Sequence, residues 1–457
     1  MIRRLLALAL VWTVPRWLPG RVVALRGRIF ALINGAEGIA VASRANGIAE
    51  FTRLYAAPAA NGRSHGAGLS DLFWYWLAPG PHVHQEHLEP GPRYDEVART
   101  TRTVLASLRH DEWDALVARC AARVLAEYRS RRVVRLRDVM MPIWAEVYYE
   151  LVFRECCPRQ ARELIVAHAD DVVSALKCTR LRHMRRRIRL TQYLCGRIAA
   201  GDVPFALPNL LSADEQAWYL QGTFFNTAVV QMSEAAAHLL LVLAEHQGVQ
   251  ARVRAGDSAY FDRVVDETMR VYPLFGIAHR ITTADIEATP PIPAGSVLLF
   301  EYPKFHHAGV PDGAAFDVER WHAESPRTLN FIPYGISANR PCPARGIAPT
   351  GLSAVTRETL RRFRLTSSVR HTRSMPNRAP ALLLDVDDLR RRTLRLAVLR
   401  VTDRWADVWR SLGQLVFGTY MVWDARRQGL CRRYFAEHPE HLPQPRARAT
   451  YPTGSAR

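Results

Sequence analysis

The stretch from Ser212 to Gly248 constrains this chain more than any other: it opens on a capping-box pattern, Ser212 and Glu215, and is then apolar on nearly every side. Leu220, Phe224, Phe225, Val229, Val230, Met232 and the run from Leu239 to Leu243 are too dense for a single stripe. The expected helix of about 36 residues, about 54 Å long at 1.5 Å per residue, therefore has no face suited to water. It must be enclosed by other elements. In a chain of 457 residues, 48% hydrophobic and 23% charged, that implies a globular body with a large core, one domain or two, which this helix crosses. Asn226, Thr227 and Gln231 interrupt the apolar run at its middle. Buried polar groups need partners, so these are either satisfied core residues or the lining of a cavity.

A second stretch, Phe331 to Gly346, is punctuated by Pro333, Gly335, Pro341, Pro343 and Gly346 around a single cysteine, Cys342. Neither helix nor strand runs through such a segment, so it forms a fixed loop presenting one sulfur. Locally, that thiol has three readings: inert, nucleophilic or metal-ligating. The seven cysteines show no disulfide framework and no zinc spacing, as expected of a reducing, cytoplasmic setting. His82, His84 and His87, in a proline-rich segment, match no helical ligand face.

The formal net charge of +19, carried mostly by arginine, favours acidic partners: an electron-carrier protein or an anionic lipid surface. No RNP signature, zinc-finger spacing or basic zipper supports nucleic-acid binding. The arginine-rich run 180–189 reads as a solvated helix face, and Ala56–Gly68 as a surface loop. The apolar segment Leu5–Val14 is too short to span a bilayer, which takes about 20 residues, and reads as a helix packed on the body or resting on a membrane. Further helices are expected from Pro92 and over Asp111–Ser130 and Asp138–Cys156, with short strands at Ile277–Ile281 and Ser296–Phe300.

Glu267 and Arg270 stand at i and i+3 before Pro273; then come Arg280, Ile292 to Gly295, Phe316 with Arg320 and Trp321, and Phe331, Gly335, Arg340 and Cys342. This series resembles the C-terminal half of a cytochrome P450, with helix 212–248 where that family has its central helix over the haem. Ser374–Arg378 is similar to the family's terminal β-hairpin. The resemblance implies a mainly α fold with small β-sheets, haem b as cofactor, and Cys342 as the axial thiolate of the haem iron. It further implies that Arg340, Arg280 and Arg93 pair with haem propionates, since guanidinium forks suit carboxylates. Glu267, Arg270 and Arg320 match the family's buried structural triad. Phe224, Phe225, Val229 and Val230 would line a pocket for a hydrophobic molecule, such as a lipid, terpene or polyketide of secondary metabolism.

Two departures accompany the match. Six residues separate Gly335 from Cys342 where the family usually has three, so Ile336–Asn339 must bulge. The central helix carries Asn226-Thr227 where oxygen-activating members have an acid before threonine, and an amide does not shuttle protons as a carboxylate does. Asn226 and Thr227 are nonetheless the expected catalytic pair. The main expectation is a monooxygenase using dioxygen and electrons from a separate, ferredoxin-type donor. The alternatives are a peroxide- or hydroperoxide-using enzyme of the allene oxide synthase or peroxygenase kind, and a non-catalytic partner protein. The expected organisation is a haem domain over 1–385, with 1–20 its apolar N-terminal segment, a helical extension over 386–436 and a disordered tail over 437–457. Leu394, Val398, Val408, Trp409 and Val416 recur at helical intervals in that extension, a stripe for packing, dimerisation or membrane-surface contact.

Overall fold

A computed structural model describes residues 2–34, 37–41, 47–130, 132–274, 276–369, 371, 378–387 and 393–442. The helices run α1 (Ile2–Asn34), α2 (Gly47–Ala56), α3 (Gly68–Leu77), α4 (Pro92–Leu105), α5 (His110–Leu125), α6 (Leu136–Phe153), α7 (Arg159–Leu176) and α8 (Met184–Ala199). After them come α9 (Ala213–Gly222), a π-helical turn (Thr223–Ala228) and α10 (Val229–Glu245), then α11 (Gln247–Arg254), α12 (Ser258–Val271), α13 (Tyr302–His307), α14 (Ala348–Arg362), α15 (Thr393–Gln428) and α16 (Leu430–Glu437). Strands β1 (Ile39–Ala40), β3 (Ile277–Ile281) and β4 (Val297–Glu301) form one sheet in the order β1-β4-β3; β2 (Val133–Arg135), β5 (Arg364–Thr366) and β6 (Pro380–Leu384) form another in the order β2-β6-β5. The architecture is the expected mainly helical one with small sheets.

The segments α9, π turn and α10 make one continuous helix, Ala213–Glu245, mostly buried inside the protein although long and apolar enough to cross a membrane. Its start is the expected capping box: Glu215 N–H donates to Ser212 Oγ at 3.4 Å and Ser212 N–H to a Glu215 carboxylate oxygen at 2.9 Å. The α10 half packs on α6, whose Met140, Met141, Trp144, Val147 and Leu151 are fully enclosed, and on α12 and α14. Helix α6 stops at Phe153, short of the expected Cys156, because Arg154 turns left-handed at φ 58°. A π turn in a helix widens one winding and shifts the side chains after it. Here it falls on Phe225-Asn226-Thr227.

Several surface expectations are corrected. Arg187, read as part of a solvated face, is fully buried: its guanidinium donates to Asp171 at 2.6 Å and to the carbonyls of Trp76 and Ala78. The supposed surface loop 56–68 carries buried Ala60, Arg63 and Ser64. Helix α1 continues through Pro15 and Pro19 and lies along α15. The stripe on α15 is split, since Val408 is buried while Leu394, Val398, Trp409 and Val416 are exposed. Its inner face, Met421, Val422 and Ala425, packs on Leu72, Tyr75 and Trp76 of α3. Pro439–His441 is a short 3-10 helix rather than disordered tail, and Ser374–Asn377 of the expected hairpin lie outside the described residues.

Because Met421 is fully enclosed and Trp409 is 68% exposed on the same helix, their truncations should separate. Met421→Ala should cost about 2–5 kcal/mol in urea unfolding. Trp409→Ala should stay within about 0.5 kcal/mol.

Candidate active site

The loop that carries Cys342 leaves α13 and enters α14, folding its extra residues into turns. Gly335 N–H reaches Ile332 O at 3.0 Å, Asn339 N–H reaches Ile336 O at 3.0 Å, and the excursion closes where Cys342 N–H donates to Tyr334 O at 2.9 Å. The bulge is anchored at its far end. Asn339 is buried and donates to the carbonyls of Tyr55 and Ala60 at 2.8 and 2.9 Å while accepting from Arg63 Nη2 at 3.1 Å. Burial pushes the Cys342 thiol up, whereas amide hydrogen bonds from Ala344 and Arg345 and the Arg345 charge pull it down. Influences of that sign favour a thiolate at a sulfur that burial makes expensive to ionise.

Above the loop, Thr227, Ala228 and Gln231 remain partly accessible in the middle of an otherwise buried helix. Glu86 is exposed by area although protein surrounds it closely enough for burial to raise its carboxyl above the usual range. Phe224, Phe225 and Val229 have no accessible surface and Val230 only 9%. Phe225 stacks on Phe153 at 6.1 Å and Phe224 meets Tyr219 edge-on. These four are therefore core, not pocket lining, and the accessible surface of this stretch falls on Thr223, Thr227, Ala228 and Gln231 instead. Asn226 is buried with its Oδ1 unpartnered; Thr227 Oγ1 donates to a Glu86 carboxylate oxygen at 2.9 Å.

Three arginines gather beside the loop. Arg340 Nη1 donates to Leu88 O at 2.6 Å and its guanidinium lies 3.6 Å over the Tyr94 ring. Arg280 donates to His279 O at 2.7 Å and to the Tyr55 hydroxyl at 2.8 Å. Arg63 is held by Gly62 O and Asn339. Each guanidinium acts on another: Arg280 and Arg340 help burial hold Arg63 well below its ordinary value, and burial with Arg280 brings Arg340 down to about 10. Glu89 and Asp95 offset part of this on Arg340, but the Glu89 carboxylate is already bonded by the backbone amides of Arg63, Ser64 and His65. Arg340 Nε and Nη2 and Arg280 Nε are buried without a partner. A cation cluster of this kind lacks an anion.

The haem implied by the resemblance fits these atoms, because its two propionates would supply the missing carboxylates and Cys342 the thiolate. Arg93 does not join them. It pairs with Glu215 at 2.6 Å and lies 3.0 Å from His441 Nε2, and is turned toward the central helix start. Arg63 and Glu86 went unmarked in the sequence, since both lie in segments without periodicity. The Glu267–Arg270 pair is fully buried at 2.7 Å, and Arg320 reaches Glu267 at 3.2 Å. Trp321 Nε1 and Asp317 N–H complete the Glu267 carboxylate, and Arg270 also donates to Gly313 O at 2.6 Å. These residues join α12 to the segment that leads into the cysteine loop.

His82, His84 and His87 do not converge on a common point: His82 pairs with Glu215, His84 packs on Gly222, and His87 lies near Phe73 and His279. Elsewhere, Cys120, Glu146 and Glu150 cluster, but Arg123 occupies the cation position at 2.6 and 2.5 Å from the carboxylates. Burial, chiefly, lowers His84 to about 3, His279 to about 4, and His87 well below its usual range. The unfolded chain, with histidines near 6.5, binds more protons than the native state below that pH. Stability should thus be full above about pH 7 and fall by about 1.4 kcal/mol per pH unit for each such histidine as the pH drops toward 4. Urea titrations at pH 7 and pH 5 check this.

Comparison with known proteins agrees with this geometry. Residues 209–387 match the family described as Cytochrome P450. Ent-kaurenoic acid oxidase 1 of Hordeum vulgare is 28% identical over 152 residues, 30% of this chain and 30% of that protein. Cyclooctat-9-en-7-ol 5-monooxygenase of Streptomyces melanosporofaciens is 28% identical over 165 residues, 30% of this chain and 36% of that protein. The chain thus matches about a third of the length of these curated relatives. Among solved structures, a six-coordinated cytochrome P450 from Thermus thermophilus superposes with a TM-score of 0.56 at 18% identity, covering 72% of this chain and 88% of the other. Cytochrome P450SP alpha in complex with (R)-ibuprophen gives a TM-score of 0.60 at 15% identity, covering 71% and 85%. Residues 209–387 are thus similar to the cytochrome P450 family, and the chain shares the fold of cytochrome P450 structures.

Proposed function

We propose that this protein is a haem-thiolate monooxygenase that oxidises a hydrophobic small molecule with dioxygen and electrons from a separate donor. The observation that carries the reading is the anion-deficient cluster Arg63–Arg280–Arg340 beside the loop that presents Cys342. When bound, haem supplies oxygen activation, and a thiolate ligand favours O–O cleavage. The chain's own residues do the rest. Arg340 and Arg280 orient two carboxylates through their free N–H groups. The closed turns before Cys342 hold its sulfur in place. The two curated relatives are named for a hydrophobic acid and a hydrophobic alcohol, which supports a hydrophobic substrate here. The +19 surface favours an acidic, ferredoxin-type electron donor.

A peroxide- or hydroperoxide-using enzyme is the second reading, favoured by Asn226 standing where a carboxylate would precede Thr227 and by the lengthened loop. Turnover of hydrogen peroxide or a lipid hydroperoxide by pure protein without any electron donor would decide for it.

The reduced, carbon-monoxide-bound protein should show the red-shifted absorption band of thiolate-ligated haem, and Cys342→Ala should abolish it. A spectrum lacking that band removes the enzyme reading and leaves a non-catalytic partner protein. In the Arg63→Leu variant, one of three mutually repelling cations is gone. The gap in unfolding midpoint between haem-loaded and haem-free protein should narrow, because the cluster is what the bound carboxylates relieve.

A further inference from the structure

The segment that precedes α4 runs alongside the central helix in register with it. His82 lies 3.3 Å from the Glu215 carboxylate and edge-on to Trp218 at 5.5 Å. Two residues on, His84 sits directly on Gly222: a Cβ there would fall 2.0 Å from its Nε2, so only glycine admits the ring. Two residues further, Glu86 meets Thr227, whose Oγ1 donates to the carboxylate at 2.9 Å. Alternate residues of the segment thus touch successive points of the helix, and the last contact falls in the π turn, where the winding is widened. Glu86 has no guanidinium or ammonium within hydrogen-bond distance among the described contacts; its bonded partner is the threonine hydroxyl.

We infer that Glu86 is the carboxylic acid of a Glu86–Thr227 proton relay, supplying from the segment before α4 the acid that Asn226 does not provide on the central helix. The inference rests on the haem-thiolate reading above. Protonated Glu86 donates to Thr227 Oγ1, the threonine passes its own hydroxyl proton onward, and the Glu86 carboxylate regains a proton from solvent. One proton enters for each one delivered, and no electrons move between these residues. Burial favours the protonated acid, being the largest influence on a carboxyl that its own backbone amide and the Thr227 hydroxyl only partly offset. Glu86 acts through Thr227 and is in that sense a positioning and relay group rather than one that touches the reacting atoms.

The test uses full-length haem-loaded protein and the variants Glu86→Gln, Glu86→Asp and Thr227→Val. Haem content and the carbon-monoxide band should match wild type in all of them, which keeps the haem reading separate from the relay. Infrared difference spectra taken across pH should show a protonated-carboxyl C=O band in wild type that is lost in Glu86→Gln and shifted in Thr227→Val, where its hydroxyl partner is gone. With an illuminated flavin as electron source and no substrate, the protein reduces dioxygen to hydrogen peroxide, taking up two electrons and two protons. That rate should fall about a hundredfold in Glu86→Gln and show a larger solvent deuterium isotope effect, because proton delivery then limits it, with partial recovery in Glu86→Asp. The double variant should be no slower than the worse single one. A wild-type rate and isotope effect in Glu86→Gln with an intact carbon-monoxide band would overturn the relay and leave the haem reading standing. A carboxyl band indifferent to Thr227→Val would likewise overturn it. No carbon-monoxide band in wild type would overturn both.

Discussion

A helix of 33 residues with no face for water has to be covered everywhere, and most of this protein is the means of covering it. Helix α6 takes one flank of α10, with α12 and α14 on others, while the segment 80–86 lies along its N-terminal half. Enclosure also raises the stakes of every polar residue on the helix. Where Thr227, Ala228 and Gln231 fall, the cover stands off and leaves surface accessible. Burial elsewhere is so complete that Phe224 and Phe225, the obvious apolar candidates for a ligand, are committed to the core. A tightly packed interior leaves a cavity only where side chains are prevented from filling it.

The surroundings of the cysteine loop follow a different logic, that of charge. Arg63, Arg280 and Arg340 are brought together with nitrogens left unpartnered, although buried cations without anions are unfavourable. Bound carboxylates would relieve such an arrangement, and on the proposed haem-thiolate reading cofactor binding and folding would be linked through these residues. The lengthened loop serves the same cluster. Its Asn339 reaches across to the Tyr55 and Ala60 carbonyls and to Arg63, tying the segment 55–63 to the peptide that presents Cys342. What looked in the sequence like an insertion weakening a motif is a clamp between the segment 55–63 and the cysteine loop.

Legibility divided along the same lines. Elements with a strong local signal were readable: the capping box at Ser212, the buried central helix, Pro92 opening α4, and the strand Ile277–Ile281. The triad Glu267–Arg270–Arg320 was readable only through resemblance, because a Glu and an Arg at i and i+3 look alike whether exposed or buried. Arg187 and Arg63 were misread for that reason in reverse. An arginine in a basic run or a small-residue loop carries no mark of its burial. Arg93 is a further case, since its place at a helix start said nothing of the Glu215 and His441 it would meet.

Sequence alone determined the mainly helical class, the central helix and its polar interruption, and the cysteine loop with its departure from the common spacing. These are short-range properties: periodicity, capping and backbone restriction act over a few residues and survive any arrangement of the rest. Tertiary structure decided which side of the central helix stays accessible, which arginines gather beside Cys342, and which acid stands opposite Thr227. Glu86 and Thr227 are 141 residues apart and become neighbours only because a glycine at 222 lets His84 settle on the helix. Contacts of that range depend on the packing of the whole body, and no local pattern encodes them.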